Sequence, residues 1–373
     1  MKRFPLHLMG VVVCAVSIPS VPSQGQMSSN VIVVASGLQA PRGLKFGPDG
    51  DLYVAEAGTS GTNSNAGQCA QVIPPVGPYA GGSTSRISRI DHSGNRETVV
   101  SGLPSSLDAL GDLQGVADLA FLDGDLYAVL GGAGCSHGDA VPNAIIRVNP
   151  KAGTWKIVAN LSEFLQAHQA RYENPADFEP DGTFYSLIAH DDRFYTVEPN
   201  HGQVFSVGRR GDIREEIDIS LAENHIVPTA IAAKGDHFFV GNLDPFPITP
   251  EHSKILTLSR ECPAHTGVPG LDTCSTSPAL HIAGSRSGFT TVVGVDIGPD
   301  GLLYVLELSD AAGFPTPGAG KVVRLNSDGS IQDVATGLSV PTAMTFGSDG
   351  FLYVSNFGAA PAGAGQIVRI DVH

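Results

Sequence analysis

Five polar residues each close the same kind of apolar run. Glu56 ends DLYVAE, Glu198 ends RFYTVE and Glu307 ends LLYVLE, while Asn242 ends HFFVGN and Asn356 ends FLYVSN. Three carboxylates and two amides at one repeated position would accept a divalent cation, or hold a polar ligand through its hydroxyl and amine donors. A sixth run, DLYAVL, ends at Leu130 instead. A second set of positions recurs upstream of these: Arg42, Ala117, Tyr185, Thr229, Val293 and Thr342, with Asp118 one place further on. Oxygen-rich coordination by four ligands is hard to assemble from that second set, so it argues against a metal-dependent active centre. The plainer reading of both sets is that they cap strand ends and satisfy loop backbone, because buried polar groups normally serve as hydrogen-bond partners.

Other candidates are weaker. Gly134-Cys135-Ser136-His137-Gly138 fits G-x-S-x-G, the nucleophile pattern of hydrolases, but that chemistry needs a strand-to-helix elbow. Here the residues that follow, DAVPNAIIRV, read as a loop and then a strand. The twelve histidines show no HExxH spacing, so no catalytic residue is named. The Asp-Gly pairs at 49–50 and 349–350 resemble calcium signals in isolation and read better as turns.

The elements that must position these residues emerge from repetition. GLQAPRGLKFGPDGDLYVAEAG at 37–58 returns as GLSVPTAMTFGSDGFLYVSNFG at 337–358, with a third version, VVGVDIGPDGLLYVLELSD, at 292–310. Each unit is an apolar strand, a Gly-Asp turn, an L-Y-V strand, and two further strands of alternating pattern such as RISRI and ETVVS. Six units fit, but the last lacks its fourth strand. The segment 30–36, NVIVVAS, reads as that missing strand and leads directly into the first unit. The expected fold is therefore all-β, a six-bladed β-propeller whose N-terminal strand 30–36 completes the last blade.

In such a ring, loops after the second strand and before the first share one face. The long ones, 57–84, 131–142, 243–252, 308–320 and 357–364, together with 160–184, all fall there, and only 261–278 lies opposite. Insertions gathered on one face mark a binding face. The segment NLSEFLQAHQARYE is expected to start a short helix capped by Asn160 and Glu163. Phe246, Pro247 and Phe314 also fall in these loops and could serve a protein partner, or simply pack their own loops. The same geometry pairs Cys69 with Cys135, in neighbouring loops, and Cys262 with Cys274, within one loop.

Lys2 and Arg3, an apolar stretch to about Ile18, then small residues through Gly25 read as a secretory signal over 1–25, leaving 26–373 as one propeller domain. The apolar run is too short for a spanning helix, so an integral membrane protein is not expected. An even number of remaining cysteines suits a secreted or periplasmic chain. A formal net charge of −15 excludes the basic stripe that nucleic acid requires.

The order G-L-x-x-P-R-G-L-x-F-G-P-D-G-x-L-Y-V-A-E-A-G, a Cys-containing loop, SRISRID, VVSGLPS, and then LSEFLQAHQARYENP resembles the ScyD/ScyE family of exported, NHL-like propeller proteins over about residues 31–373. Blade three, HDDRFYTVEPNHGQVFSV, matches that pattern loosely. In cyanobacterial members the resemblance implies association with indole–phenol pigment biosynthesis, and it brings no catalytic residues with it. The expectation is a secreted propeller that binds a small molecule or protein partner on its long-loop face, without a resident cofactor. The alternative is a propeller enzyme, either a metal-dependent lactonase or hydrolase, or a quinoprotein-like sugar oxidoreductase.

Overall fold

The computed structural model describes residues 26–260 and 280–373. The expected leader 1–25 and the expected Cys262–Cys274 pairing lie outside the described residues. Six antiparallel sheets follow one another along the chain. Blade one comprises Pro41–Phe46, Leu52–Glu56, Ala80–Ile90 and Arg96–Leu107, and blade two Val116–Leu122, Asp125–Leu130, Ala144–Asn149 and Thr154–Asn160. Blades three, four and five begin at Leu187, Pro228 and Val292 and repeat the same four-strand order.

Blade six takes Ala343–Phe346, Leu352–Asn356 and Gly365–Ile370 from the end of the chain and Val31–Leu38 from its beginning. The closing register runs from Val31 opposite Ile370 to Leu38 opposite Gly365. Asn30 secures the seam by donating to the carbonyls of Val334 (2.9 Å) and Asp371 (2.8 Å). Blade one departs from the plain repeat. Its fourth strand runs on to Leu107 and pairs with a short fifth strand, Leu113–Gln114.

The repeated motif has a mechanical reason. Gly50, Gly301 and Gly350 sit at φ between 76° and 84°, a conformation glycine adopts without strain. The aspartate before each accepts the hydroxyl of the L-Y-V tyrosine: Asp49 from Tyr53 (2.9 Å), Asp300 from Tyr304 (3.1 Å) and Asp349 from Tyr353 (2.8 Å). The Asp-Gly pairs are thus turns whose carboxylates orient an aromatic ring. Each ring then packs on a phenylalanine of the next blade: Tyr53 on Phe121, Tyr304 on Phe346, and Tyr353 on Phe46 across the chain's closing seam. Tyr127 on Phe194 and Tyr195 on Phe238 continue the pattern. Such pairs add about 0.5–1.5 kcal/mol each beyond area burial, so the repeat holds blade to blade as well as strand to strand.

Candidate ligand site

The upstream set of polar residues stitches neighbouring blades together. Thr342 of blade six donates its hydroxyl to Pro41 O of blade one (2.7 Å), and Thr229 of blade four donates to Val292 O of blade five. Asp118 of blade two accepts the backbone N–H of Leu187 in blade three (2.7 Å) and of Leu119 (2.8 Å). Burial pushes this carboxyl up to about 6, against the opposing charge of Lys45. Gly43 makes room for it, since a Cβ there would lie 1.9 Å from Asp118 Oδ1.

One member reaches across the ring. The Tyr185 hydroxyl, from just before the first strand of blade three, donates to Thr342 O in the opposite blade (3.2 Å). Its phenol is pushed up to about 12, mainly by burial. Arg42 binds Asp112 Oδ1 (2.7 Å) and the Leu113 carbonyl. Burial opposes its charge, but Asp112 and Tyr185 outweigh that and hold it protonated. A guanidinium and a tyrosine that bridges opposite blades therefore stand at the inner strands, and the fixed positive charge there opposes a divalent cation.

The strand-end residues are not brought together. Each grips the loop that leads into its own blade. Glu56 accepts Gln39 N–H (2.7 Å) and Arg86 (2.8 Å). Glu198 accepts Thr183 N–H (2.9 Å), His201 N–H (2.6 Å) and the His201 ring at Nδ1 (2.9 Å). Burial alone would raise Glu198, yet His201 and those N–H groups hold it below the usual carboxylate range. Asn356 accepts Ser339 N–H (2.7 Å), and Asn242 donates to Ile226 O (2.9 Å). Glu307 lies 3.6 Å from Lys321 and is pushed up to about 7, chiefly by burial. Among the described residues no group of three or more His, Cys, Asp or Glu is placed to hold a metal ion.

The open space lies off-axis, over blades one to three, where Cys69 is bonded to Cys135 across 66 residues. A cleft of about 690 Å³ is walled by the 57–79 loop, the 131–142 loop and the helix Leu161–Ala167, called α1. The α1 N-terminus is capped as expected: Asn160 Oδ1 accepts Glu163 N–H, and Asn160 Nδ2 donates to Glu163 Oε2, both at 3.1 Å. A second cavity of about 340 Å³ lies beside the first, and Cys135, Gln166 and Asp181 line both.

The walls are pinned from below. Cys135–His137 forms one 3-10 turn rather than a strand-to-helix elbow. Ser136 is buried, and its hydroxyl and backbone N–H both donate to Asp181 Oδ2 at 2.7 Å. That hydroxyl is a strut for Asp181. Asn143 donates to the carbonyls of Asp181 (3.1 Å) and Gly182 (2.6 Å), and Ser162 also donates to Asp181 O (2.9 Å). Gly134, at φ 100°, leaves room for the same carboxylate, which a Cβ would meet at 2.4 Å. Beneath lies a buried polar chain. Gln114 donates to Tyr79 (3.1 Å), Tyr79 donates to Glu179 Oε1 (3.0 Å), and Glu179 Oε2 stands 3.7 Å from His137 Nε2. Burial lowers His137 to about 4, so its ring is neutral near pH 7, and drives the Glu179 carboxyl well above the usual range. Among these residues the sequence singled out only Ser136 and His137, inside G-x-S-x-G. The long 57–84 and 160–184 segments and the Cys69–Cys135 pairing were the signals that could have pointed here.

No family model matches the chain, and no curated protein matches it. Solved structures do. A gluconolactonase from Xanthomonas campestris superposes with TM-score 0.52 at 12% identity, over 91% of this chain and 89% of that one. The PQQ-bound form of an aldose sugar dehydrogenase from Streptomyces coelicolor gives 0.53 at 14%, over 94% and 99%. An auxiliary nutrient binding protein from Bacteroides thetaiotaomicron gives 0.52 at 11%, over 90% and 69%. Two enzymes and a binding protein share this backbone, so the likeness speaks to fold and leaves function to the site. With five four-stranded sheets, one five-stranded sheet and its closing N-terminal strand, the chain is a six-bladed β-propeller.

Proposed function

We propose that this chain is a secreted β-propeller binding or scaffold protein of the ScyD/ScyE type, and that it takes an uncharged or cationic polar small molecule in the larger cleft of its long-loop face. The cleft's donor set carries this reading. Among the described residues its lining holds three carboxylates, Asp139, Glu163 and Asp181, and no Lys, Arg or His. The Asn63, Asn65 and Gln68 side chains line the same wall and make no hydrogen bond to the described residues. Amides and carboxylates suit hydroxyl or amine groups, each offering two adjacent polar atoms. An anionic ligand would meet like charge in a partly desolvated space.

The propeller-enzyme alternative needs a metal or quinone at the tunnel end, where Arg42 and Tyr185 stand. Calorimetric titration of the secreted protein with D-glucose, D-xylose and glucosamine, against gluconate and glucose 6-phosphate, tests the binding reading. Saturable binding of neutral or amine-bearing members, lost in an Asn63→Ala/Gln68→Ala double variant, is the expected result. Anions binding as tightly as the neutral sugars would defeat it. Elemental analysis with melting curves before and after chelation tests the alternative, which a stoichiometric, stabilising metal would promote.

A further inference from the structure

We infer that the site is bipartite and that its ligand is an amphiphile, a polyhydroxylated head joined to a flat apolar or aromatic group. This rests on the reading above and deepens it. The two cavities are neighbours of opposite character. The larger presents the unbonded amides of Asn63, Asn65 and Gln68 beside the carboxylates of Asp139, Glu163 and Asp181. The smaller is lined by Leu165, Phe178, Pro180, Ala70 and the Cys69–Cys135 disulfide, together with Gln166, Gln169, Asp181 and His201. Its one buried polar ring is already spoken for: His201 bonds Glu198 through Nδ1 and takes Phe178 edge-to-face at 5.2 Å. At about 340 Å³ it is ample for one aromatic ring, since an apolar cavity of about 150 Å³ already accepts benzene.

A purely polar ligand would leave this apolar compartment wet, and a purely apolar one would leave the amides of the larger cleft unused. Only a molecule with both parts gains from both surfaces, because apolar burial and directed hydrogen bonds then act on one body. The shared wall of Cys135, Gln166 and Asp181 sets the join. Gln166 donates weakly to Asp181 Oδ1 (3.4 Å) and to the Pro180 carbonyl (3.3 Å), so it sits where the head meets the ring and can turn to a linking oxygen. The absence of Lys and Arg from both linings, among the described residues, restricts the whole ligand to a neutral or cationic species.

The test is calorimetry on the full secreted chain with 4-nitrophenyl glycopyranosides (β-gluco, β-galacto, α-manno, β-xylo), the matching free sugars, and 4-nitrophenol alone. At least one aryl glycoside should bind tenfold or more tighter than both its free sugar and 4-nitrophenol. Ala70→Trp fills the smaller cavity from an exposed loop position. It should erase that gain while leaving the free-sugar affinity unchanged. Phe178→Ala should reduce the gain in the same direction. Aryl glycosides binding no tighter than free sugars would overturn the bipartite inference and leave the proposed binding function standing. A panel in which nothing binds would overturn both.

Discussion

Blades one and six are near copies through their second strands, yet they diverge immediately afterwards. Blade six returns through 357–364 into its third strand, whereas blade one runs from 57 to 79 before Ala80 begins its third. Up to that point the two do the same work. Asp49 and Asp349 orient Tyr53 and Tyr353, and each ring packs on the next blade. Beyond it, only blade one's loop reaches out, bonds to Cys135 of blade two and becomes a cleft wall. The difference teaches that the repeat maintains the ring and that a cleft is built where the repeat is broken. A blade cannot change its strands without losing its neighbours, but a loop on the face is free to lengthen.

The sharpest way to break the comparison is to cut the tie. A Cys69→Ser/Cys135→Ser variant loses a 66-residue loop closure, worth about 4 kcal/mol in the chain-entropy model. A fall in melting temperature together with loss of cleft binding is expected. An unchanged melting curve would mean that the 57–79 loop supports itself as the short blade-six loop does.

The second effect is pH-dependent and confined to the elaborated sector. His137 is held near 4 when folded, below the ordinary 6.5. Its contribution is therefore present above pH 6.5 and lost as pH falls from 6.5 towards 4, because the unfolded chain takes up the proton first. The full shift corresponds to roughly 3 kcal/mol. Melting temperatures taken from pH 8 to 4 should fall more steeply, or rise less, in the parent than in His137→Gln between 6.5 and 4, because the raised Asp118, Glu179 and Glu307 carboxyls act in the opposite direction in both proteins. Equal slopes would move the acid sensitivity elsewhere.

In the ring itself, Gly43→Ala drives a methyl onto Asp118 Oδ1. It should cost about 2 kcal/mol through overpacking beside a buried carboxyl. Denaturant unfolding measures it, and a neutral result would mean that the seam between blades one and two yields easily. The smallest effect is Tyr185→Phe, which removes the hydroxyl bond to Thr342 O and should cost about 1 kcal/mol. That variant should leave cleft affinity untouched, and a change in affinity would couple the axis to the cleft.

Sequence pattern made the ring legible because strand alternation, Asp-Gly turns and the L-Y-V run are local signals repeated six times. The Asn160–Glu163 cap and the Cys69–Cys135 pair were legible for the same reason, once the loops had been assigned to faces. The polar rings were legible as positions but not as roles. Glu56 and Glu198 could be read as ligands or, more plainly, as caps, and each is satisfied by a loop that precedes it by 15 to 17 residues in its own blade. Spacing cannot distinguish a carboxylate that awaits a ligand from one that caps a backbone, since both need the same residue type at the same place.

By itself the sequence determined a closed ring of six antiparallel blades, because a strand missing at one end of the chain and a spare one at the other admit one closure. It also determined which face carries the long loops. Only the tertiary structure decided that Tyr79, Gln114, His137, Glu179 and Asp181 share one buried network beneath a cleft. These residues lie in the 57–79 loop, the short strand Leu113–Gln114, the 131–142 loop and the segment 160–184. Their meeting depends on how irregular backbone crosses the face, where each turn is set by tertiary hydrogen bonds rather than by any local period.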